Sequence, residues 1–416
     1  MRTHLKIAWS VAALALVACT SVVPYRTELE KTCNQEAVEA NCSKAAFETY
    51  RDFDVAYVEF TDQGWLHDRN QLTRTLDLLR KPDPRPLQIV VFVHGWKHDA
   101  KFDDRDVRAF RETVMPAMAR NQPNSRTVGV YVGWRGASLN LPSLAQSISF
   151  YDRKSTADHV ARGSVRELFS YLRTMRNKTT AGQVPSLSIT LIGHSFGGLI
   201  LYNSITESLM DSLVVANSGD PSEVRLAKPV FDLVVLLNPA FEATRFEPLF
   251  QVAKEHLLPT GSTRPYGKDQ RPIFVSITSE GDSATRIAFP ISRYINSTFQ
   301  HEGWTDQDDR TKQEYAQRLE KIANNHTIGH MERYRTHRLT LTGDGQSAKN
   351  ADKKKIPITC ALVHNALFAK ESPFPLWTMH AAADVIESHH DIYGENLWAF
   401  ISQLRNSGPS IDRVCG

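Results

Sequence analysis

The sequence predicts an α/β fold in which a mostly parallel central sheet carries helices on both faces. Two stretches, 87–93 and 187–192, are almost continuously apolar, as expected of parallel strands that are buried on both faces. Helical segments separate the predicted strands, and within 165–172 the apolar residues recur at i, i+3, i+4 and i+7. Parallel strands joined in this way have their carboxyl ends at one edge of the sheet, where ligands bind.

Composition sets the class of protein. The chain has 416 residues, of which 41% are hydrophobic and 23% are charged, as in an ordinary soluble globular protein. Lysine and arginine together number 49 and the acidic residues 46, which leaves a formal charge of +3. This balance provides no electrostatic reason to expect a nucleic-acid partner.

The elements follow in a regular order. The predicted strands are 55–60, 87–93, 128–134, 187–192, 230–237, 272–278 and 375–380. The predicted helices are 71–79, 104–120 with a bend at Pro116, one capped by Ser155, one after residue 198 and one after residue 392. We therefore expect an α/β domain over 54–416, an irregular tether and lead-in over 19–53, and an insertion at about 290–374.

The N-terminus predicts a targeting segment. Arg2 and Lys6 precede an apolar run of twelve residues, Ile7–Ala18, which is too short to span a bilayer and typical of a signal peptide. The run ends in Leu16-Val17-Ala18-Cys19, which resembles the lipobox of bacterial lipoproteins. The resemblance implies a signal peptide over 1–18, a lipidated Cys19 and a lipid anchor in the bacterial cell envelope. Thr20 after the cysteine implies the outer membrane, facing the periplasm.

Four further cysteines suit an oxidising compartment. Cys33, Cys42, Cys360 and Cys415 allow two disulfides in three possible pairings. The local pair Cys33–Cys42 and the long-range pair Cys360–Cys415 are the favoured ones. The spacing of these cysteines does not fit a zinc site.

The strongest chemical motif is Gly193-His194-Ser195-Phe196-Gly197, called here the serine turn. It lies between a predicted buried strand and a predicted helix. A serine in this pattern is held on a sharp, strained turn that exposes its hydroxyl above the sheet edge. Flanking glycines are needed because the turn leaves no room for side chains.

A second motif, His94-Gly95-Trp96, follows the apolar strand 87–93. With the serine turn two strands later, the chain resembles the esterase- and lipase-like α/β-hydrolases from about residue 54 to its end. The resemblance implies an oxyanion hole formed by the backbone N–H groups of Trp96 and Phe196, which would stabilise the negative charge of the intermediate. His94 is expected to support this loop.

The resemblance also implies an acid and then a histidine after Ser195 in the chain. Asp282 follows the strand 272–278 and is the favoured acid, with Glu280 as its alternative. The histidine belongs to the loop after the last strand, where the family pattern His-x-Asp-Ile favours His389 over the adjacent His390. His380 falls within that strand and is expected to pack there.

The resulting prediction is a serine hydrolase that cleaves carboxylic esters of small molecules or lipids through an acyl-enzyme, without a cofactor. His326 and His330 are four residues apart and could share a helix face, but the sequence offers no third ligand nearby, so we expect no metal. The rival interpretation is a non-catalytic envelope lipoprotein that uses the same scaffold for binding. Whether the insertion at 290–374 covers the site stays open at this point.

Overall fold

The computed structural model describes residues 23–34, 42–136, 143–180, 186–218, 225–254, 266–285, 310–341, 358–363 and 374–406. The predicted signal peptide over 1–18, Cys19 and Cys415 lie outside these ranges. In the described part of the chain, eleven strands form one sheet in the order β1-β2-β3-β5-β4-β6-β7-β8-β11-β9-β10. The strands are β1 Glu28–Asn34, β2 Ala45–Thr49, β3 Phe53–Phe60, β4 Leu87–Val93, β5 Arg126–Trp134, β6 Leu187–His194, β7 Leu233–Leu237, β8 Phe274–Ser279, β9 His337–Leu341, β10 Ile358–Leu362 and β11 Leu376–Ala381.

The sheet is parallel from β3 through β9 in spatial order, and its antiparallel pairs are β2 with β3 and β9 with β10. Its central strands are buried on both faces. In β4, Ile89 and Val91 face one apolar cluster, whereas Val90 and Phe92 face the other. The expected α/β architecture with a mostly parallel sheet is therefore present, and every predicted strand is found within a few residues of its expected bounds.

Helices cover both faces of the sheet. They are α1 Arg69–Arg80, α2 Arg105–Ala109, α3 Met115–Arg120, α4 Ser143–Arg162, α5 Val165–Thr180, α6 Phe196–Asn217, α7 Glu247–Lys254, α8 Arg310–Asn325 and α9 Glu395–Asn406. A π-helical turn, Phe110–Val114, joins α2 to α3, and Pro116 is the second residue of α3. The irregularity fits the proline, which lacks an N–H for the helical ladder. No helix in the described ranges is both long and apolar enough to cross a membrane.

Three expectations need correction. Ser155 does not cap a helix, because it lies inside α4; the break comes at Gly163, where a Cβ would lie 2.2 Å from the Gly64 carbonyl oxygen. The lead-in 19–53 is not irregular throughout, since β1 and β2 extend the sheet at one edge. The insertion at 290–374 contributes α8 and also β9 and β10, which form the opposite edge.

Buried polar contacts attach the lead-in to the carboxyl edge of the sheet. The backbone N–H groups of Tyr25 and Arg26 donate to the carboxylate of Glu59, at 2.9 and 2.8 Å. The Arg26 guanidinium is fully buried, pairs with Glu48 at 3.0 Å and donates to the Ala100 carbonyl at 2.7 Å. Because a buried cation is costly unless it is paired, these contacts specify where the lead-in docks.

Cys33 in β1 forms a disulfide with Cys42, which lies just before β2, so this bond links the two parts of the lead-in. Cys360 in β10 is also disulfide-bonded. Cys415, its favoured partner from the sequence, lies outside the described residues.

Candidate active site

The serine turn occupies the junction of β6 and α6. Ser195 has φ 54° and ψ −119°, in a left-handed region that non-glycine residues rarely adopt. The backbone around it leaves no space for side chains: a Cβ on Gly197 would lie 2.0 Å from the Val93 carbonyl oxygen, and one on Gly193 would lie 2.7 Å from that of Gly197. The glycines therefore permit the strained turn that presents the Ser195 hydroxyl at the carboxyl edge.

The loop after β11 brings a histidine to this hydroxyl. His389 Nε2 lies 2.8 Å from Ser195 Oγ, and His389 Nδ1 lies 2.8 Å from Asp282 Oδ2. The tautomer that satisfies both contacts has Nδ1–H donating to Asp282 and Nε2 accepting the serine O–H. Ser195, Asp282 and His389, chosen from the sequence, thus form one continuous hydrogen-bonded chain.

Asp282 is fully buried in a site that favours its charged form. Its Oδ1 accepts the Thr285 backbone N–H at 3.0 Å, and its Oδ2 accepts the Thr285 hydroxyl at 2.5 Å. Burial by itself would raise the pKa of the carboxyl, but the contacts with His389 and Thr285 outweigh it and lower the pKa below its ordinary value. The Thr285 hydroxyl in turn lies 2.9 Å from His330 Nε2, so His330 also belongs to this polar chain.

The loop after β4 lies against the serine turn. A Cβ on Gly95 would lie 2.9 Å from the Cβ of Ser195, which shows how closely the two backbones approach. Within the described ranges, the backbone N–H groups of Trp96 and Phe196 have no hydrogen-bond acceptor. Phe196 is the first residue of α6, and a helix leaves its first N–H groups without intrahelical partners.

His94 supports that loop, as the sequence led us to expect. Its Nε2 accepts the Trp134 backbone N–H at 3.1 Å, and its carbonyl accepts the Trp134 indole N–H at 2.9 Å. The imidazole also stacks on the Trp134 ring, with 5.5 Å between centroids and a 7° angle between planes. Burial lowers the pKa of His94, so the side chain serves this loop in its neutral form.

The alternative candidates lie elsewhere. Glu280 pairs with Arg338 at 3.0 Å and approaches His380 Nδ1 at 3.5 Å, and the structure does not bring it to His389. The His390 ring packs near His98 and His194 and makes no hydrogen bond to Ser195. Burial, together with the neighbouring histidines and Arg105, lowers the pKa of His390 to about 3.

Two groups of side chains offer potential metal ligands within 4.8 Å of one another: His194, His389 and His390, and His98, Asp104 and Asp106. In each group, at least one side chain already uses its potential ligand atoms in hydrogen bonds. His389 contacts Ser195 and Asp282, and Asp104 caps α2 by accepting the N–H groups of residues 106 and 107. His326 and His330 do not share a helix face, because His326 follows α8 and His330 lies in the next 3₁₀ turn.

Sequence reasoning missed several residues around this site. Asn238, at the end of β7, has φ 44° and donates its amide N–H to the His389 carbonyl at 3.0 Å. His194 also contacts that carbonyl, through Nε2 at 2.9 Å. Thr285 contacts Asp282 as described above. The position of Asn238 at a strand tip was visible in the sequence, but its amide offered no sign that the distant loop would reach it.

No protein-family model matches the chain, and no curated protein matches it significantly. Among solved structures, the chain is similar to the siderophore hydrolase EstB from Aspergillus nidulans, with 12% identity, a TM-score of 0.30 and coverage of 78% of this chain and 84% of that one. It is also similar to the phospholipase PlaB from Legionella pneumophila, solved with thio-NAD, with 12% identity and a TM-score of 0.26. That match covers 79% of this chain and 61% of the phospholipase.

Proposed function

We propose that the protein is a serine hydrolase of the α/β-hydrolase type that cleaves carboxylic esters. The observation that carries the proposal is the hydrogen-bonded chain Ser195–His389–Asp282, with 2.8 Å at each step, at the carboxyl edge of a parallel sheet. Its parts have complementary roles as nucleophile, general base and orienting acid. The strained φ of Ser195 adds support, because such strain concentrates at functional sites.

The proposed mechanism uses these contacts in turn. His389 Nε2 takes the proton from the Ser195 hydroxyl as Oγ forms a bond to the ester carbonyl carbon. Asp282 keeps His389 in the required tautomer and stabilises the imidazolium that forms. Collapse of the tetrahedral intermediate expels the alcohol, which receives the proton from His389. Water then attacks the acyl-enzyme with His389 again as the base, and this step releases the acid and restores Ser195.

Two backbone N–H groups are the proposed oxyanion donors. Trp96 lies on the loop that contacts the serine turn, and Phe196 follows Ser195 as the first residue of α6. Within the described residues, neither N–H group has a hydrogen-bond acceptor. Donors placed before the reaction need no rearrangement when negative charge develops on the carbonyl oxygen. Each such donor typically contributes about 10²–10³-fold to kcat.

The proposed substrate class is a small-molecule or lipid ester, and the proposed location is the bacterial envelope. The location rests on the lipobox-like segment ending at Cys19. Incorporation of labelled palmitate tests it: the wild type should be labelled and Cys19→Ser should not. Equal labelling of both proteins would remove Cys19 as the anchor.

A fluorophosphonate probe tests the enzymatic proposal, since it reacts with activated serines. The full-length wild type and Ser218→Ala, an exposed serine just after α6, should label and hydrolyse a soluble p-nitrophenyl ester. Ser195→Ala should do neither. A wild type that neither labels nor hydrolyses any ester of a chain-length series would contradict the proposal and favour the non-catalytic interpretation.

A further inference from the structure

We infer that His194, the residue before the nucleophile, is a positioning residue that holds the general base in register with Ser195. The inference rests on the proposed function, because it concerns how His389 is placed for the reaction. It starts from one contact: His194 Nε2 lies 2.9 Å from the backbone carbonyl oxygen of His389. Since a carbonyl oxygen only accepts, Nε2 carries the proton and donates it.

This contact joins the two reacting segments directly. Ser195 follows His194 in the chain, and His389 carries both the accepting carbonyl and the imidazole that contacts Ser195. A shift of the His389 backbone would therefore stretch the hydrogen bond from His194. The same shift would move the imidazole Nε2 of His389 away from Ser195 Oγ. A displacement of about 1 Å can cost about 10²-fold in rate, so a restraint at this point has kinetic consequences.

The base depends on such restraints because its loop has no regular structure. Between the end of β11 at Ala381 and the start of α9 at Glu395, the chain forms turns but no helix or strand. Other parts of the carboxyl edge supply further hydrogen-bond partners. The Ser279 hydroxyl donates to the Ile386 carbonyl at 2.6 Å, and the Arg105 guanidinium donates to the His390 carbonyl.

Asn238 is the second donor to the same oxygen. Its amide N–H reaches the His389 carbonyl at 3.0 Å, while its Oδ1 accepts the Ser279 backbone N–H at 2.8 Å. The Asn238 backbone is fixed as well, because its N–H donates to the Ile277 carbonyl at 2.8 Å. The His389 carbonyl is thus held from β6 by His194 and from β7 by Asn238.

A buried charged cluster lies beside the His194 ring. Behind the ring lies the fully buried carboxylate of Asp106, with Oδ2 3.9 Å from His194 Nδ1. His98 compensates this charge, since its Nε2 lies 3.4 Å from Asp106 Oδ1 and its Nδ1 lies 3.2 Å from Asp104. The His194 side chain is almost fully buried, and its ring centroid lies 5.2 Å from that of His389 and 5.8 Å from that of His390. Close packing at these distances limits rotation of the His194 ring.

The protonation states agree with this arrangement. Burial disfavours charge on His98, but Asp104 and Asp106 outweigh burial and raise the pKa of its imidazole. Burial lowers the pKa of His194, which therefore acts as a neutral donor. A neutral donor suits this position, because a second positive charge beside His389 would oppose formation of the catalytic imidazolium.

The test compares His194→Ala with His194→Gln, since a glutamine amide can donate from nearly the same place as Nε2. With a soluble p-nitrophenyl ester, we expect His194→Ala to lower kcat by about tenfold to a hundredfold with little change in KM. His194→Gln should restore most of the loss. His159→Ala, an exposed histidine on α4, is the control and should match the wild type.

Asn238→Ala provides the second arm. It should also lower kcat at nearly constant KM, and the double variant should depart from additivity because both donors share one acceptor. A folded His194→Gln no more active than His194→Ala, or a His194→Ala with wild-type kcat, would overturn the inference. If His194→Ala does not fold, the other two variants decide. A folded but inactive His194→Gln still overturns the inference. An active His194→Gln together with an impaired Asn238→Ala supports it.

The failure of the inference differs from the failure of the proposed function. If the wild type labels with the fluorophosphonate and Ser195→Ala does not, while His194→Ala labels at the wild-type rate, only the positioning role fails. If the wild type does not label, the hydrolase proposal itself fails.

Discussion

Replacing His389 and His390 separately by alanine distinguishes two adjacent histidines that the sequence leaves as rivals. The structure gives them different surroundings. His389 contacts both Ser195 Oγ and Asp282 Oδ2 at 2.8 Å, whereas His390 packs beside His98 and His194. We therefore expect His389→Ala to lose catalysis and His390→Ala to lose mainly packing.

The expected magnitudes are far apart. Loss of the base from a serine–histidine–aspartate arrangement lowers kcat by about 10⁴–10⁶-fold, and the remaining activity comes from binding and the oxyanion donors. Loss of the half-buried His390 ring should lower the free energy of unfolding by about 1–3 kcal/mol and change kcat by less than about tenfold. The two variants should thus differ in kcat by at least about a thousandfold.

The assay is steady-state hydrolysis of a soluble p-nitrophenyl ester from pH 5 to 8, with urea unfolding of each variant as the control for folding. Because the pKa of His390 is lowered to about 3, its imidazole stays neutral throughout this range. His390→Ala should therefore keep the wild-type pH profile. Substantial activity in His389→Ala, or an equal loss in a folded His390→Ala, would refute this assignment of the base.

Three further predictions follow from the serine turn and the buried acid. Gly197→Ala should abolish activity, since its Cβ would lie 2.0 Å from a backbone oxygen, whereas Gly394→Ala, with open space around its Cβ, should match the wild type in the same ester assay. Thr285→Val removes the hydroxyl that donates to the buried Asp282 carboxylate, so it should lower the free energy of unfolding in urea at pH 7 by about 1.5–3 kcal/mol. The control, Thr73→Val on the exposed face of α1, should change this free energy by less than about 0.5 kcal/mol. Because the folded protein lowers the pKa of Asp282, this carboxylate stabilises the fold above about pH 4, where the carboxyl of the unfolded chain ionises. The contribution is lost as the pH falls through the pKa of the folded state. The free energy of unfolding of the wild type should therefore fall more steeply from pH 5 to 3 than that of Asp282→Asn.

The central part of the fold was predictable because its signals are local. Strand β4 has the predicted bounds, since a run of apolar residues ending in His94-Gly95 leaves few other interpretations. The serine turn combines a strand, two necessary glycines and a helix within a few residues. His389 and Asp282 could also be predicted, because each follows a predicted strand and a parallel sheet places the carboxyl ends of its strands at one edge.

The edges of the sheet were not predictable in the same way. β1 reads Glu-Leu-Glu-Lys-Thr-Cys-Asn, a polar sequence typical of an edge strand, where charge discourages pairing with other chains. Ser155 resembled a helix cap because the sequence pattern marks the apolar face of a helix more clearly than its first residue. In the structure, Ser155 lies inside α4, which begins at Ser143, whereas the apolar pattern belongs to α5, which begins at Val165.

The supporting residues of the site escaped prediction for a different reason. His194 occupies a variable position of the serine motif, and Asn238 is an ordinary residue for a turn at a strand end. Their roles depend on the carbonyl of a residue more than 150 positions away in the chain. Only the assembled loop shows that both donors meet one acceptor.

The docking of the lead-in on Glu59 has a consequence for how the protein would be oriented on a membrane. Tyr25 lies at the carboxyl edge of the sheet, with Lys101 of the loop that also carries Trp96 beside its ring. If Cys19 bears the proposed acyl anchor, the four residues from there to Val23 reach at most about 14 Å. The carboxyl edge of the sheet, where Ser195 lies, would then be tethered close to the lipid headgroups. Esters within the same leaflet would be the substrates nearest to Ser195.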